Sequence, residues 1–412
     1  MNIGVQNNSE RVFARLCSYY YLRSFVFHSP RIYAPTEIEL GDVLLWLRTL
    51  TINFELIWRN PTASTTLKSF VKRVGEKRDQ LERDFQILTH MREPILLENE
   101  FRKELFLKPE NIIPGNYLGV VLIDSQDIDI KLHFNSLSKV ATLPFACNYL
   151  SFQGLKSVLD ELDTISDLAY YLSDRAKFVN FLLKNYTKTA LIISSKLEKN
   201  IIAFYKMHEN VFVEKEWDET KTFQYWDIYQ NDFQTQIARR NEENRESEII
   251  DRIVEIVVLN ANDPREYPLH AWELAILTRR QRATKLAPKI HDAITRMHNK
   301  NKHRYFSFLN QVTGCWLLFY FQHGGSKDEF IKEVNHLARL KTVFEIVEKG
   351  FKYSVFVYGF RKSEIETGNT VDDIYLTIED AEKYKVLTES EITEAKKLFG
   401  HITEHKIKEF PD

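Results

Sequence analysis

Two acidic residues in one short stretch, Leu40 to Asn60 (LGDVLLWLRTLTINFELIWRN), have types and spacing that could serve chemistry. Asp42 opens one apolar run and Glu55 sits inside the next. β-Branched and aromatic residues dominate both runs, which therefore read as short strands. Side chains two apart on a strand share a face, so Glu55, Ile57 and Arg59 point the same way. Asp42 and Glu55 form a candidate acid pair, and whether they converge within metal-sharing distance depends on how the two strands lie.

Two sets of basic residues could accompany such a pair. One is carried by a helix expected from about Thr65 to Leu88. Leu67, Phe70, Val71, Val74, Leu81, Phe85 and Leu88 line one side of it, and Lys72, Arg73 and Lys77 belong to the other. The second is the run from Arg279 to Arg304, the most basic segment of the chain. It holds Arg279, Arg280, Arg282, Lys285 and Lys289 with a single acid, Asp292. Either set reads as a solvated face or as a surface for a nucleic-acid backbone, DNA or RNA.

The elements that must position these residues can be read in order. A helix capped by Asn7, Asn8 or Ser9 is expected to reach about Phe25, with Val12, Phe13, Leu16, Tyr19 and Tyr20 on its apolar face. Glu10 falls in its first turn. Three strand-like segments follow, FVFHSPRIYAP, ELGDVLLWLRTL and TINFELIWRNP. Then come the basic helix and further strands at Tyr117–Asp124 and Ile128–Phe134.

This order of helix, three strands, helix and strand resembles the core of the PD-(D/E)XK nuclease superfamily, the restriction-endonuclease-like fold. The resemblance covers residues 5–135. It implies a helix acid, a strand acid, and a third strand with Glu-x-Lys. Two carboxylates would hold Mg²⁺, which activates water, and a lysine would support the charge on the scissile phosphate. Glu10 matches the helix acid and Asp42 the strand acid. Aligning Phe54–Asn60 with the third-strand motif puts Ile57 where the acid belongs and Arg59 where the lysine belongs. Ile cannot ligate a metal, and Arg is a poor proton shuttle. The set Glu10, Asp42, Glu55 and Arg59 therefore admits two readings. Either the metal site is lost, or Glu55 supplies a displaced carboxylate and Asp42 and Glu55 hold the metal. Lys77 and Gln80 fall where the family adds a polar side chain from the following helix. By the same resemblance, the protein would be bacterial and act in antiphage or mobile-element defence. A non-catalytic sensor binding a phage component or another protein partner is the alternative.

A second resemblance is to HEPN ribonucleases, which cleave RNA without metal through an Arg-x4-6-His motif. Arg265 to His270 and Arg296 to His303 fit that spacing. Pro268 interrupts the first pair and would break a helix unless it starts one.

The expected class is α+β. A nuclease-like α/β domain with a central mixed sheet flanked by helices would span 1–135, a mainly helical domain 136–305, and a small α+β domain 306–412. Ser151 is expected to cap a helix, Thr164 or Ser166 the next, and Thr388-Glu389-Ser390-Glu391 reads as a capping box. His323-Gly324-Gly325 reads as a turn, with phosphate binding as the alternative.

Composition sets the outer bounds. The chain has 412 residues, 44% hydrophobic and 28% charged, enough for more than one core. Aromatics reach 13% while Gly and Pro number only 13 and 11, which argues against disorder. A formal charge of -2 excludes a generally basic nucleic-acid coat and restricts any such contact to a patch. The three cysteines, Cys17, Cys147 and Cys315, lack metal-ligand spacing and fit free thiols of a reducing compartment. The polar start MNIGVQNNSER reads as no signal peptide, and no apolar run suits a membrane span, so a cytoplasmic location without membrane contact is expected.

Overall fold

The computed structural model describes residues 11–17, 23–32, 38–47, 50–58, 67–90, 94–99, 105–107, 114–124, 130–132, 143–162, 164–185, 191–193, 195–259, 269–297, 303–350, 353–362, 371–384 and 386–400. The class is α+β. The chain divides into two units, residues 1–242 with 253–278, and residues 243–252 with 279–412.

The first unit is built on a five-stranded mixed sheet. Its strands are β1 (Val26–His28), β4 (Val43–Leu47), β5 (Leu50–Trp58), β8 (Tyr117–Asp124) and β10 (Ala146–Ser151), ordered as they occur in the chain. β1, β4 and β5 form an antiparallel meander; β8 joins β5 in parallel and β10 joins β8 in parallel. Four short strands, β2 (Arg31–Ile32), β3 (Ile38–Glu39), β6 (Ile95–Leu97) and β7 (Leu105–Leu107), make a separate antiparallel sheet in the order β3-β2-β6-β7.

The central strands are covered on both faces, so their apolar residues run almost without interruption. Ile52, Phe54 and Ile57 of β5 and Leu118 to Ile123 of β8 are buried. One face is covered by α2 (Leu67–His90), whose Phe70, Val74, Leu81, Phe85 and Leu88 point inward at helical spacing. The opposite face is met by a helix at residues 11–17, here α1. Its Phe13 ring lies 5.0 Å from Phe54, edge to face. The expected extension of this helix from residue 7 lies outside the described residues, and Arg23–Phe25 is a 3-10 turn.

The sheet runs past the expected boundary at residue 135. β10 completes it and delivers the chain into α3 (Phe152–Glu161), where Ser151 caps by accepting from the Gly154 N–H at 2.9 Å. Thr164 plays the same part ahead of α4 (Ile165–Asn185), accepting from the Asp167 N–H. The middle of the chain is not purely helical either. β9 (Ile130–Leu132) pairs antiparallel with β11 (Leu191–Ile193), because the run LII suits a ladder as well as a helix. Four helices follow: α5 (Ser195–Met207), α6 (Tyr225–Asp232), α7 (Gln234–Leu259) and α8 (Leu269–Ala275). Residues 243–252 of α7 belong to the second unit.

That second unit carries α9 (Ala287–Met297) and a mixed sheet of β12 (His303–Leu309), β13 (Trp316–His323), β14 (Ser354–Lys362) and β15 (Asp373–Asp380). β13 and β14 are parallel and joined through α10 (Lys327–Lys349). Ser326 and Glu329 form a capping box on α10, and Gly350 closes it at φ 61°. The predicted box Thr388/Glu391 opens α11 (Glu389–Phe399). The core gathers Trp316, Leu318, Tyr320, Val355 and Val357 of the sheet with Phe330, Val334, Leu337, Leu340 and Val343 of α10. No described helix is long and apolar enough to cross a membrane.

Candidate functional site

Asp42 stands at the entrance to β4, after Gly41, which turns the chain at φ 65°. The Asp42 N–H donates to the Phe54 carbonyl at 2.9 Å, and the Leu56 N–H donates to Asp42 Oδ2 at 2.6 Å. The carboxylate is thereby fixed beside β5. Alternation along β5 puts Asn53, Glu55 and Ile57 on the face towards α2. Glu55 is almost fully buried and meets a cation there. Lys77 Nζ donates to Glu55 Oε2 at 2.6 Å and to Asp42 Oδ2 at 3.3 Å. Side-chain exposure is 2% for Glu55, 14% for Asp42 and 19% for Lys77, so the group opens to solvent on the Asp42–Lys77 side.

The electrostatics follow from this placement. Burial first, then the neighbouring Asp42 carboxylate, pushes the Glu55 carboxyl up to about 8 against the pull of Lys77. Burial alone would lower Lys77. The charges of Asp42 and Glu55 outweigh it and hold the ammonium above its ordinary range. At neutral pH, Lys77 is charged and Glu55 retains much of its proton.

A polar layer lies beneath the triad. Asn53 Nδ2 donates to Asp84 Oδ2 at 3.2 Å and to Tyr117 Oη at 3.0 Å, and the Tyr117 hydroxyl donates to the Leu81 carbonyl at 3.2 Å. Asp84, fully buried on α2, also accepts from the Gly41 N–H and from Arg83 at 2.8 Å. Burial nevertheless leaves its carboxyl raised. Gly41 is required here. A Cβ would stand 2.0 Å from Asn53 Oδ1, in a conformation that L side chains resist. Asp84 and Asn53 thus fix the turn that presents Asp42.

The sequence-predicted residues fare differently. Asp42 and Glu55 converge. Lys77, expected on a nucleic-acid face or as an added polar group, closes the triad. Ile57, aligned with the motif acid, is buried at 1% exposure, one step along the strand face from Glu55. Glu10 and Arg59 lie outside the described residues. Lys72 is exposed and 3.5 Å from Glu76, and Arg73 is exposed.

The basic run of the second unit requires a correction. Arg279 and Arg282 are buried, and Arg280 is mostly so. Arg279 Nη1 lies 2.5 Å and Arg280 Nη1 3.4 Å from Glu243, and Arg282 Nη1 lies 2.6 Å from Asp251. These arginines neutralise carboxylates of α7 that the sequence keeps more than thirty residues away, so their charge is met within the unit. Lys285 is half-buried, and Lys289 is exposed with Nζ 5.7 Å from the Phe306 ring. Of the HEPN-like pairs, the described one, Arg296 with His303, does not share a helix. Arg296 lies on α9 and His303 opens β12; His270 is buried on α8, and Arg265 is outside the described residues. All three cysteines are buried and outside any disulfide, and burial pushes the Cys147 thiol up to about 12.

The ion that the resemblance implies is Mg²⁺. Mg²⁺ takes one or two protein carboxylates and completes its shell with water and substrate phosphate. Asp42 and Glu55 offer two carboxyl groups facing one partly open space, and Glu55, whose charged form burial disfavours, would have to give up its proton to ligate. The pair fits such an ion, although no group of three His, Cys, Asp or Glu is assembled among the described residues. Comparison with protein-family models, with curated proteins and with solved structures finds no match to this chain.

Proposed function

We propose that the first unit is a nuclease-like phosphodiesterase module acting on DNA or RNA. Its acid–acid–lysine set is assembled from the entrance of β4, the inner face of β5 and α2. The observation that carries this reading is the reach of one lysine to two carboxylates, 2.6 Å and 3.3 Å away. Two acids brought together in a nearly buried place are unfavourable unless a cation joins them, and such arrangements concentrate at functional sites. The order helix, antiparallel meander, helix, parallel strand supports the same reading. With Glu55 as the strand acid, Ile57 occupies the place of the motif lysine, and Lys77 restores that charge from α2. In defence against phage or mobile elements, such a module would degrade invading nucleic acid.

The residues divide the work by position. Asp42 and Glu55 would hold Mg²⁺, which supplies Lewis-acid stabilisation of the phosphate and activation of water. Lys77 carries a fixed positive charge for the non-bridging oxygens of a bound phosphodiester. The Leu56 N–H orients Asp42, and the Asn53–Asp84 layer orients Gly41 before it. Arg73, exposed on the helix that carries Lys77 and one turn before it, would meet the flanking backbone.

A second reading, a non-cleaving platform for nucleic acid or a protein partner, is favoured by the same contact, since the ammonium lies where a metal would. Incubation of the full chain with single- and double-stranded DNA and RNA, across Mg²⁺, Mn²⁺ and EDTA, separates the two. Metal-dependent cleavage lost in Asp42→Ala supports the enzyme. Salt-dependent binding without cleavage under every metal supports the platform.

A further inference from the structure

The Lys77 ammonium lies within hydrogen-bond reach of both carboxylates that a metal would use. Magnesium–oxygen contacts are about 2.0–2.1 Å, so a cation bound to the same oxygens cannot share that space with the ammonium. The two positive charges also repel in a place with little water. The lysine has somewhere to go: its side chain is partly exposed on a long flexible stem. Its helix is anchored independently, by Leu81, Phe85 and Leu88 in the core and by Asp84 on Asn53 and Gly41. The head group can therefore leave without moving the helix.

We propose that Lys77 is the resident counter-ion of the Asp42–Glu55 pair, and that a divalent cation gains the pair only by displacing the ammonium towards solvent. This rests on the phosphodiesterase reading and deepens it. The apo chain keeps its acid pair neutralised without metal, and loading the site releases a lysine at its open edge, where a phosphate oxygen would arrive. Metal entry and exposure of the phosphate-binding charge become one event.

The test uses the full chain and Mn²⁺ alone. Free Mn²⁺ is followed by electron paramagnetic resonance, and amine exposure by brief acetylation and mass spectrometry. Mn²⁺ is expected to raise Lys77 acetylation about tenfold while leaving exposed Lys72 unchanged. Lys77→Met and Lys77→Gln are expected to bind Mn²⁺ about tenfold more tightly than the wild type, a difference of about 1.4 kcal/mol. The double variant Asp42→Asn, Glu55→Gln should lose binding. The acetylation arm uses the unaltered protein, so it holds even if a variant fails to fold. Bound Mn²⁺ with Lys77 still protected, or equal affinity in folded Lys77 variants, overturns the displacement and leaves the phosphodiesterase reading intact. Mn²⁺ bound with Lys77 exposed but no cleavage supports the displacement and overturns catalysis. An absence of Mn²⁺ binding in wild type and variants overturns the displacement and removes the metal from the site.

Discussion

The Lys77 ammonium lies 2.6 Å from Glu55 Oε2, a carboxylate with only 2% of its side chain exposed. Glu55 comes from the central strand of a sheet and Lys77 from the helix laid across it. The contact joins the sheet to its covering layer at a place that is polar and opens to solvent. Asp42 completes the contact from the neighbouring strand. Removing the lysine leaves two carboxylates beside one another with no cation. Above about pH 8, where Glu55 is ionised, Lys77→Ala is therefore expected to lower stability by about 3 kcal/mol, the usual cost of breaking a buried ion pair. Lys77→Ala with Glu55→Gln should recover much of that loss. Urea unfolding of the two variants measures both values.

Glu55 also sets a pH dependence. Its carboxyl ionises at about 8 in the folded chain against an ordinary value of 4.5. The folded state therefore holds a proton that the unfolded chain releases. The resulting stabilisation is fully present below 4.5, declines as pH rises, and is gone above about 8. Asp84, also raised, adds in the same sense. Lys77 titrates above this window and does not alter the sign. Thermal melts between pH 5 and 9 should show stability falling in wild type and a flatter profile in Glu55→Gln. A rising wild-type profile would contradict the placement of Glu55.

Beneath the triad, the Asp84 layer should behave as a structural support for Asp42. Asp84→Ala leaves the Gly41 N–H and the Asn53 amide without their buried acceptor, at about 1–3 kcal/mol for each unsatisfied group. Gly41→Ala adds backbone strain and a clash with Asn53. Both variants should lower the unfolding midpoint, and Asp84→Asn should lose less than Asp84→Ala.

The second unit offers an independent check. Lys341 and Glu345, each 1% exposed, pair at 2.6 Å, and the Lys341 ammonium lies 3.6 Å from the centre of the Trp316 ring. Lys341→Met alone leaves the buried Glu345 carboxylate with only Lys349, 3.5 Å away, and is expected to cost about 3 kcal/mol. Lys341→Met with Glu345→Leu should come close to wild type. Calorimetry of the three proteins reads the difference.

Much of this arrangement was legible in the residues. The β-branched runs and the apolar stripe of α2 give β8 to the residue, α2 to within about two residues, and β4 and β5 inside longer strand-like segments, because period and turn residues are local properties. The acid pair was legible for the same reason, since strand alternation alone puts Glu55 and Ile57 on one face. The cation was not, because Lys77 reaches the pair across the packing of two elements distant in sequence. The signal available was that Lys77 and Asp84 continue the inward face of α2 with Leu81 and Leu88, at spacings of three and four residues. Polar groups in an apolar stripe must find buried partners. The arginines of the 279–282 run misled for the converse reason. A local excess of positive charge reads as a surface, but carboxylates from α7 neutralise it once the unit folds. β10 and β11 escaped the expected boundaries because sheet membership is decided by pairing with distant strands.

The most direct test of the central claim is phosphodiester hydrolysis by the full chain with Mg²⁺ or Mn²⁺, compared with Asp42→Asn, Glu55→Gln and Lys77→Met. Metal-dependent cleavage of DNA or RNA is expected, falling by about 10²–10³-fold in each variant, as for loss of a group that stabilises the transition state. Cleavage that survives all three substitutions, or a wild-type chain that binds Mn²⁺ at these carboxylates and cleaves nothing, would contradict it.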